Sequence, residues 1–170
     1  MTIANVLTIS RIAMIPVLII LLRMDAPNSY LLAALVFTLL VLTDSIDGFI
    51  ARKYKQMTKL GTFLDPLADK LLITASLVCL VELHKIQSWI VIIIIAREFV
   101  ITSFRALKAA EGKVISASKW GKVKTVIQAL AILIVILEGQ WRVHIPYPLD
   151  VWSIYIAAIV TVLSGFKYFL

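Results

Sequence analysis

Long apolar runs alternate with short polar or turn-rich breaks along this chain. Six runs can be marked, at about Val6–Leu22, Tyr30–Ile50, Phe63–Leu83, Trp89–Leu107, Val123–Leu137 and Val151–Phe169. A helix that crosses a bilayer needs roughly 20 mostly apolar residues, and each run approaches that length. The breaks carry turn or charge signals: Asp25-Ala26-Pro27-Asn28, Glu82 to Lys85, Glu111-Gly112-Lys113 and Pro146-Tyr147-Pro148-Leu149-Asp150. The pattern predicts an all-α integral membrane protein with six transmembrane helices, some continuing as helix beyond the hydrocarbon. No internal repeat or low-complexity segment interrupts it, so one membrane domain over residues 1–170 is expected.

Composition points the same way. Of 170 residues, 61% are hydrophobic, and the mean hydropathy is +0.98. Soluble domains are roughly 45–50% apolar, and a chain of this size buries only about 70% of its unfolded surface. A bilayer is the solvent that suits such an excess. No length is left over for a soluble module, and no nucleic-acid partner is expected. The single cysteine, Cys79, excludes an intrachain disulfide and a cysteine metal cluster. No cleavable leader is expected, because a basic n-region is lacking and Arg11 interrupts the first apolar run.

The net charge of +7 becomes informative once the charges are placed. Arg52, Lys53, Lys55 and Lys59 lie between the second and third runs. Arg105, Lys108, Lys113, Lys119, Lys122 and Lys124 lie around the connection between the fourth and fifth. The three opposite connections offer only Arg23, Lys85 and Arg142. The positive-inside rule then predicts that both termini are cytoplasmic (N-in, C-in). Trp89, Trp120, Trp141 and Trp152 fall near predicted span ends, where indoles rest among headgroups.

The most informative segment is Asp44-Ser-Ile-Asp47-Gly48-Phe-Ile-Ala51-Arg52, then eight residues, then Gly61-Thr-Phe-Leu-Asp65-Pro-Leu-Ala-Asp69. Spacings of three (Asp44, Asp47) and four (Asp65, Asp69) put each pair on one helical face. The basic loop between them makes the two helices antiparallel neighbours, so the four carboxylates can converge near the cytoplasmic ends. A charge inside a span costs at least about 2.5–3.5 kcal/mol, and Arg52 and Lys70 do not suffice to neutralise four acids. Hard oxygen donors suit Mg2+ or Mn2+, and two such ions would make a phosphoryl-transfer site. Gly48 and Gly61 leave room for a phosphate ligand beside the backbone. The plainer reading, acids paired with lysines at a wet helix end, suits one aspartate better than four in register with two glycines and an arginine.

This segment resembles the signature of the CDP-alcohol phosphotransferase family, D-x-x-D-G-x-x-A-R followed by G-x-x-x-D-x-x-x-D, and every signature position is filled. The resemblance implies the six-span family fold. It implies that Asp44, Asp47, Asp65 and Asp69 hold two divalent cations, Mg2+ or Mn2+. Asp44, Asp47, Gly48, Ala51, Arg52, Gly61 and Asp65 would line the CDP-diacylglycerol pocket, and Asp69 would be the general base. A homodimer is implied by the family and not by the residues.

A second polar group bears on the acceptor. Arg97, Glu98, Thr102 and Arg105 interrupt the fourth run, while Lys119, Gly121, Lys122, Lys124 and Thr125 open the fifth. Arg97, Arg105, Lys122 and Lys124 are candidates for holding an acceptor phosphate through charge-assisted hydrogen bonds. The lysines at 119–124 can equally be an inside-positive anchor on anionic lipid, and Glu98 can be a partner of Arg97. The stretches Ala96-Arg-Glu-Phe-Val, Gly121-Lys-Val-Lys-Thr, Leu163-Ser-Gly-Phe-Lys-Tyr-Phe and Asn5-Val-Leu-Thr-Ile-Ser-Arg11 resemble the bacterial branch of the family that uses glycerol 3-phosphate. The implied reaction joins CDP-diacylglycerol and sn-glycerol 3-phosphate to give phosphatidylglycerol phosphate and CMP, on the cytoplasmic face of the bacterial plasma membrane.

Competing readings are a family relative with another acceptor (inositol phosphate or phosphatidylglycerol), a divalent-cation transporter, because intramembrane acids also mark ion paths, and a silent scaffold. Asn5, Thr8 and Arg11 read better as an interfacial anchor than as site residues. His84 and His144 fall on the side away from the aspartates. Gly165 suits close helix packing or a subunit contact.

Overall fold

A computed structural model of the chain describes residues 3–53, 59–112, 119–141 and 148–166; within these, the side chains of 3–5, 44–53, 59–63, 65, 119 and 139–141 are outside what is described. All the regular structure described is helical: α1 (Ile3–Arg23), α2 (Ser29–Lys53), α3 (Lys59–Glu82), α4 (Ser88–Ala110), α5 (Lys119–Trp141) and α6 (Leu149–Phe166). Helices are what an apolar solvent demands, because each satisfies its own backbone donors and acceptors. The six apolar runs each became one helix. Most extend by a turn or less past the runs, as α2 does in reaching Lys53.

The breaks behave as local chemistry dictates. After α1, Asn28 takes φ 67°, and the Ser29 hydroxyl donates to the Met24 carbonyl at 2.9 Å, which turns the chain into α2. After α3, His84 adopts φ 56°. Its N–H bonds the Val81 carbonyl at 2.9 Å and the Lys85 N–H bonds the Leu80 carbonyl at 2.9 Å. That crossed pair is a Schellman stop, usually made by glycine at the left-handed position.

Helix α1 packs on α2 and α3, α5 on α6 and α2, and α4 on α6, with α3 also touching α4 and α5. The core holds Leu18, Phe37, Leu72, Leu80, Ile94, Ile132 and Ile136, all buried. Small residues (Ala33, Ala34, Ala68, Ala131, Ala157) are buried with them and let helix backbones approach closely. Leu39, Ile92, Phe99, Leu130, Trp152 and Leu163 instead point outward and are exposed. An apolar exterior over an apolar core fits a lipid solvent.

Three described helices hold an apolar stretch of 18 or 19 residues, long enough to cross a membrane: Val6–Arg23, Trp120–Glu138 and Leu149–Phe166, with a shorter apolar stretch at Ser29–Thr43. The charged residues that interrupt α2, α3 and α4 are the ones the chemistry concerns. This is an all-helical membrane protein.

Candidate active site

Helices α3, α4 and α5 enclose a cavity of about 480 Å³. From α3 come Asp69 and Lys70, one turn past Pro66. From α4 come Arg97, Glu98, Thr102 and Arg105, brought to one side by their spacings of four and eight. The first turns of α5 add Gly121, Lys122, Lys124 and Thr125. All four residues predicted for an acceptor phosphate (Arg97, Arg105, Lys122, Lys124) therefore share one cavity with the predicted base, Asp69.

Among the described residues five cations line it (Lys70, Arg97, Arg105, Lys122, Lys124) against two carboxylates (Asp69, Glu98), so this described lining is net positive. Glu98 is its internal counter-ion. One carboxylate oxygen, Oε1, accepts from Arg97 Nη1 at 3.1 Å and also from Lys124 Nζ. Arg97 is mostly buried, its side chain 12% exposed, and the Lys124 side chain is deeper still. Buried cations of this kind require a carboxylate near them, because an unpaired buried charge costs several kcal/mol, of order 3–5.

The cavity wall is braced across helices. Lys70 Nζ donates to Thr102 Oγ1, which in turn donates to the Glu98 main-chain carbonyl at 2.6 Å, tying α3 to α4. Arg97 Nη2 donates to Ser164 Oγ at 2.9 Å, and Ser164 donates to the Thr161 carbonyl at 2.9 Å. Gln128 Nε2 reaches Thr161 Oγ1 at 2.8 Å, tying α5 to α6. Gly165 packs directly on the arginine: a Cβ there would lie 3.3 Å from Arg97 Nε and 3.4 Å from its Cγ. Of the two roles expected for Gly165, close packing is the one seen.

Asp69 also borders a second, small cavity of about 80 Å³ with Arg11, Val41, Leu72, Thr125, Val126 and Ala129. Here the sequence reading needs correction. Arg11 is 2% exposed and Thr8 is wholly buried, so neither is an interfacial anchor. Both face inward because α1 packs against α2 and α3 on the side that carries them. A basic residue in an apolar run signals either burial or an interface, and only packing separates the two.

The remaining signature positions divide between two helices. Asp44, Asp47, Gly48, Ala51 and Arg52 belong to α2, and Gly61 and Asp65 to α3. Both aspartate pairs thus sit on helical backbone, as their spacings require. The side chains of Asp44, Asp47, Arg52 and Asp65 lie outside the described residues. Among the described residues no three His, Cys, Asp or Glu side chains gather into a metal-binding group, and three of the four expected ligands are outside that set. Lys70 in the cavity wall and Ser164 behind Arg97 are site residues that the sequence does not single out. The signal available for Lys70 was its place beside Asp69 and, for Ser164, its place beside Gly165.

Fold and cavity define an integral-membrane helical protein with an acid, Asp69, at a cavity lined by basic side chains. The sequence profile of the CDP-alcohol phosphatidyltransferase family matches residues 1–163, and the chain belongs to that family. Relatives named CDP-diacylglycerol–glycerol-3-phosphate 3-phosphatidyltransferase are similar throughout. The one from Bacillus subtilis (strain 168) is 37% identical over 97% of this chain and 92% of its own length. That of Haemophilus influenzae is 40% identical over 95% of this chain and 88% of the relative. That of Rickettsia bellii is 38% identical, covering 97% and 92%.

Proposed function

We propose that this protein transfers the phosphatidyl group of CDP-diacylglycerol to sn-glycerol 3-phosphate, giving phosphatidylglycerol phosphate and CMP. The observation that carries this reading is the convergence of Asp69 with Arg97, Arg105, Lys122 and Lys124 on one cavity. An acceptor that bears its own phosphate suits such a pocket; serine or choline does not call for five cations. The names of the relatives point to the same substrates.

In this reading Arg97, Arg105, Lys122 and Lys124 hold the acceptor phosphate, the arginines by planar paired donors and the lysines as point charges. That contact orients the acceptor hydroxyl toward Asp69, which takes its proton. The hydroxyl oxygen bonds to the phosphorus that carries diacylglycerol, the bond from that phosphorus to the CMP oxygen breaks, and CMP departs. Gly48, Ala51, Arg52 and Gly61, with Asp44, Asp47 and Asp65, line the donor's cytidine and diphosphate.

Two divalent cations, Mg2+ or Mn2+, fit the chemistry of the donor set, because Asp44, Asp47, Asp65 and Asp69 offer hard carboxylate oxygens from two helices. Bound there, they supply charge neutralisation at the diphosphate. We further place residues 1–170 in one membrane domain of six spans with both termini cytoplasmic, as the lysine and arginine asymmetry favours. The site then opens to the cytoplasm of a bacterial cell membrane, amid membrane lipid, in a homodimer.

Purified protein in detergent, given CDP-diacylglycerol and a panel of acceptors, tests the reading. CMP release should require glycerol 3-phosphate and a divalent metal. Release with inositol phosphate, phosphatidylglycerol or serine, but not glycerol 3-phosphate, overturns it.

A further inference from the structure

At the end of α3 remote from Asp69, the α3–α4 turn and the first turns of α6 line a cavity of about 620 Å³. Asp69 and Glu82 both lie on α3, separated by about 20 Å of helix rise. Among the described residues this cavity shares no lining residue with the one that holds Asp69.

Its wall includes a carboxylate with an unmet requirement. Asp150, in the first turn of α6, is 9% exposed, and its buried Oδ1 has no hydrogen-bond partner among the described residues. A buried acceptor without a donor has given up hydration for nothing. Ser153 does not supply one, because its hydroxyl donates to the Asp150 main-chain carbonyl at 2.8 Å. Nor does the aromatic wall. Trp89 Nε1 donates to Gln87 Oε1 at 2.6 Å, and the Tyr155 hydroxyl donates to the same oxygen at 3.5 Å. Lys85 and His84 line the cavity from the turn between α3 and α4, with the Lys85 ammonium held 4.7 Å from the Tyr30 ring centre.

The volume is that of a small-molecule site, within the roughly 300–1,000 Å³ such sites occupy, and far exceeds a bare ion. Acceptor chemistry lies on one wall and cationic chemistry on the other. The ligand that matches both carries an ammonium beside a phosphate. Trp89 and Val151 line the cavity and are exposed, and Leu149 and Trp152 beside them are exposed apolar side chains, so hydrocarbon can lie against the mouth.

We propose that this cavity is a second binding site, for an ammonium-bearing phosphate ester, with the ammonium donating to the Asp150 carboxylate and the phosphate meeting Lys85 and His84. The shared chemistry occurs in an ethanolamine phospholipid headgroup and in free phosphoethanolamine. The proposal does not depend on which alcohol the enzyme uses.

Native mass spectrometry of the full-length protein in detergent, offered equal amounts of ethanolamine, choline and glycerol phospholipids, tests it. The ethanolamine lipid should be retained over the choline lipid by about tenfold, because a quaternary ammonium has no N–H to give a charge-assisted bond. Asp150→Asn should erase that preference, and Lys85→Gln should lower retention of both zwitterionic lipids. Where Asp150→Asn does not yield monodisperse protein, Lys85→Gln carries the test. Displacement of the lipid by millimolar phosphoethanolamine identifies the headgroup alone as sufficient; a preference that persists without displacement identifies the lipid as the ligand. Equal retention of ethanolamine and choline lipids, preferential retention of the glycerol lipid, a preference untouched by Asp150→Asn, or retention of the zwitterionic lipids untouched by Lys85→Gln overturns the proposal.

Discussion

Arg97 on α4 and Ser164 on α6, 67 positions apart, are joined by a hydrogen bond of 2.9 Å from Nη2 to Oγ. The guanidinium is thus held from two sides, by Ser164 and by its neighbour Glu98, whose Oε1 is 3.1 Å from Nη1. A long, mobile side chain is fixed in one orientation before any ligand arrives. Pre-set orientation of this kind lowers the entropic cost of binding.

Ser164→Ala removes the α6 contact and Gly165→Ala pushes a methyl group against the guanidinium. Each should raise the KM for glycerol 3-phosphate by about 3–10-fold, the range set by loss of one hydrogen bond to a charged group. The kcat and the KM for CDP-diacylglycerol should hold. Initial rates with each substrate varied in turn separate these, and an unchanged acceptor KM in both variants removes Arg97 from the acceptor site.

Glu98→Gln leaves Arg97 and Lys124 without their common carboxylate. Loss of a buried pair costs about 3–5 kcal/mol, and partial exposure of Glu98, 22% for its side chain, brings the expectation toward about 2 kcal/mol. Thermal unfolding in detergent should show a lower Tm. Lys124→Gln, which removes a charge from the other side of the same bridge, should give a smaller loss when combined with Glu98→Gln than the two single losses predict together.

Lys122 lines the same cavity but is exposed, so it has little structural work. Lys122→Ala should leave the Tm nearly unchanged and raise the acceptor KM by about tenfold, with kcat preserved. That pattern is uniform loss of binding. Raising the salt concentration should weaken acceptor binding to the unaltered protein more than to the variant, because an exposed charge is screened.

Asp69→Asn keeps the volume and removes both the proposed base and a proposed metal-ligating oxygen. CMP release should fall by about 10²–10⁴-fold, the typical share of a general base, while circular dichroism stays helical. Chelation with EDTA should abolish turnover of the unaltered protein, and Mg2+ or Mn2+ should restore it. Activity that survives chelation contradicts the assignment of the four aspartates.

Much of this was legible before any coordinates. Apolar runs of near-bilayer length can only be helices in lipid, and each run did become a helix. Spacings of three and four put Asp44 with Asp47 and Asp65 with Asp69 on helical faces, and the family signature follows from those positions. Helix ends were less legible, because α2 and α3 continue as helix into charged segments that hydropathy alone cuts short.

Residues distant in sequence were another matter. Periodicity within α4 groups Arg97 with Arg105, but nothing local says that Lys124 meets Glu98, that Lys70 meets Thr102, or that Ser164 meets Arg97. Arg11 shows the limit most clearly, since the same basic residue in an apolar run reads as an anchor in sequence and is buried in the fold.

The order of residues by itself determined the solvent, the helices and the acidic signature, because hydrophobic length and helical spacing act within a few turns of chain. Tertiary packing alone decided which charges share a cavity, which serine holds Arg97, and that the buried Arg11 borders the same small cavity as the half-buried Asp69. Those contacts depend on how six helices pack, and charge pairing across helices acts over a few ångströms between residues that the chain keeps tens of positions apart.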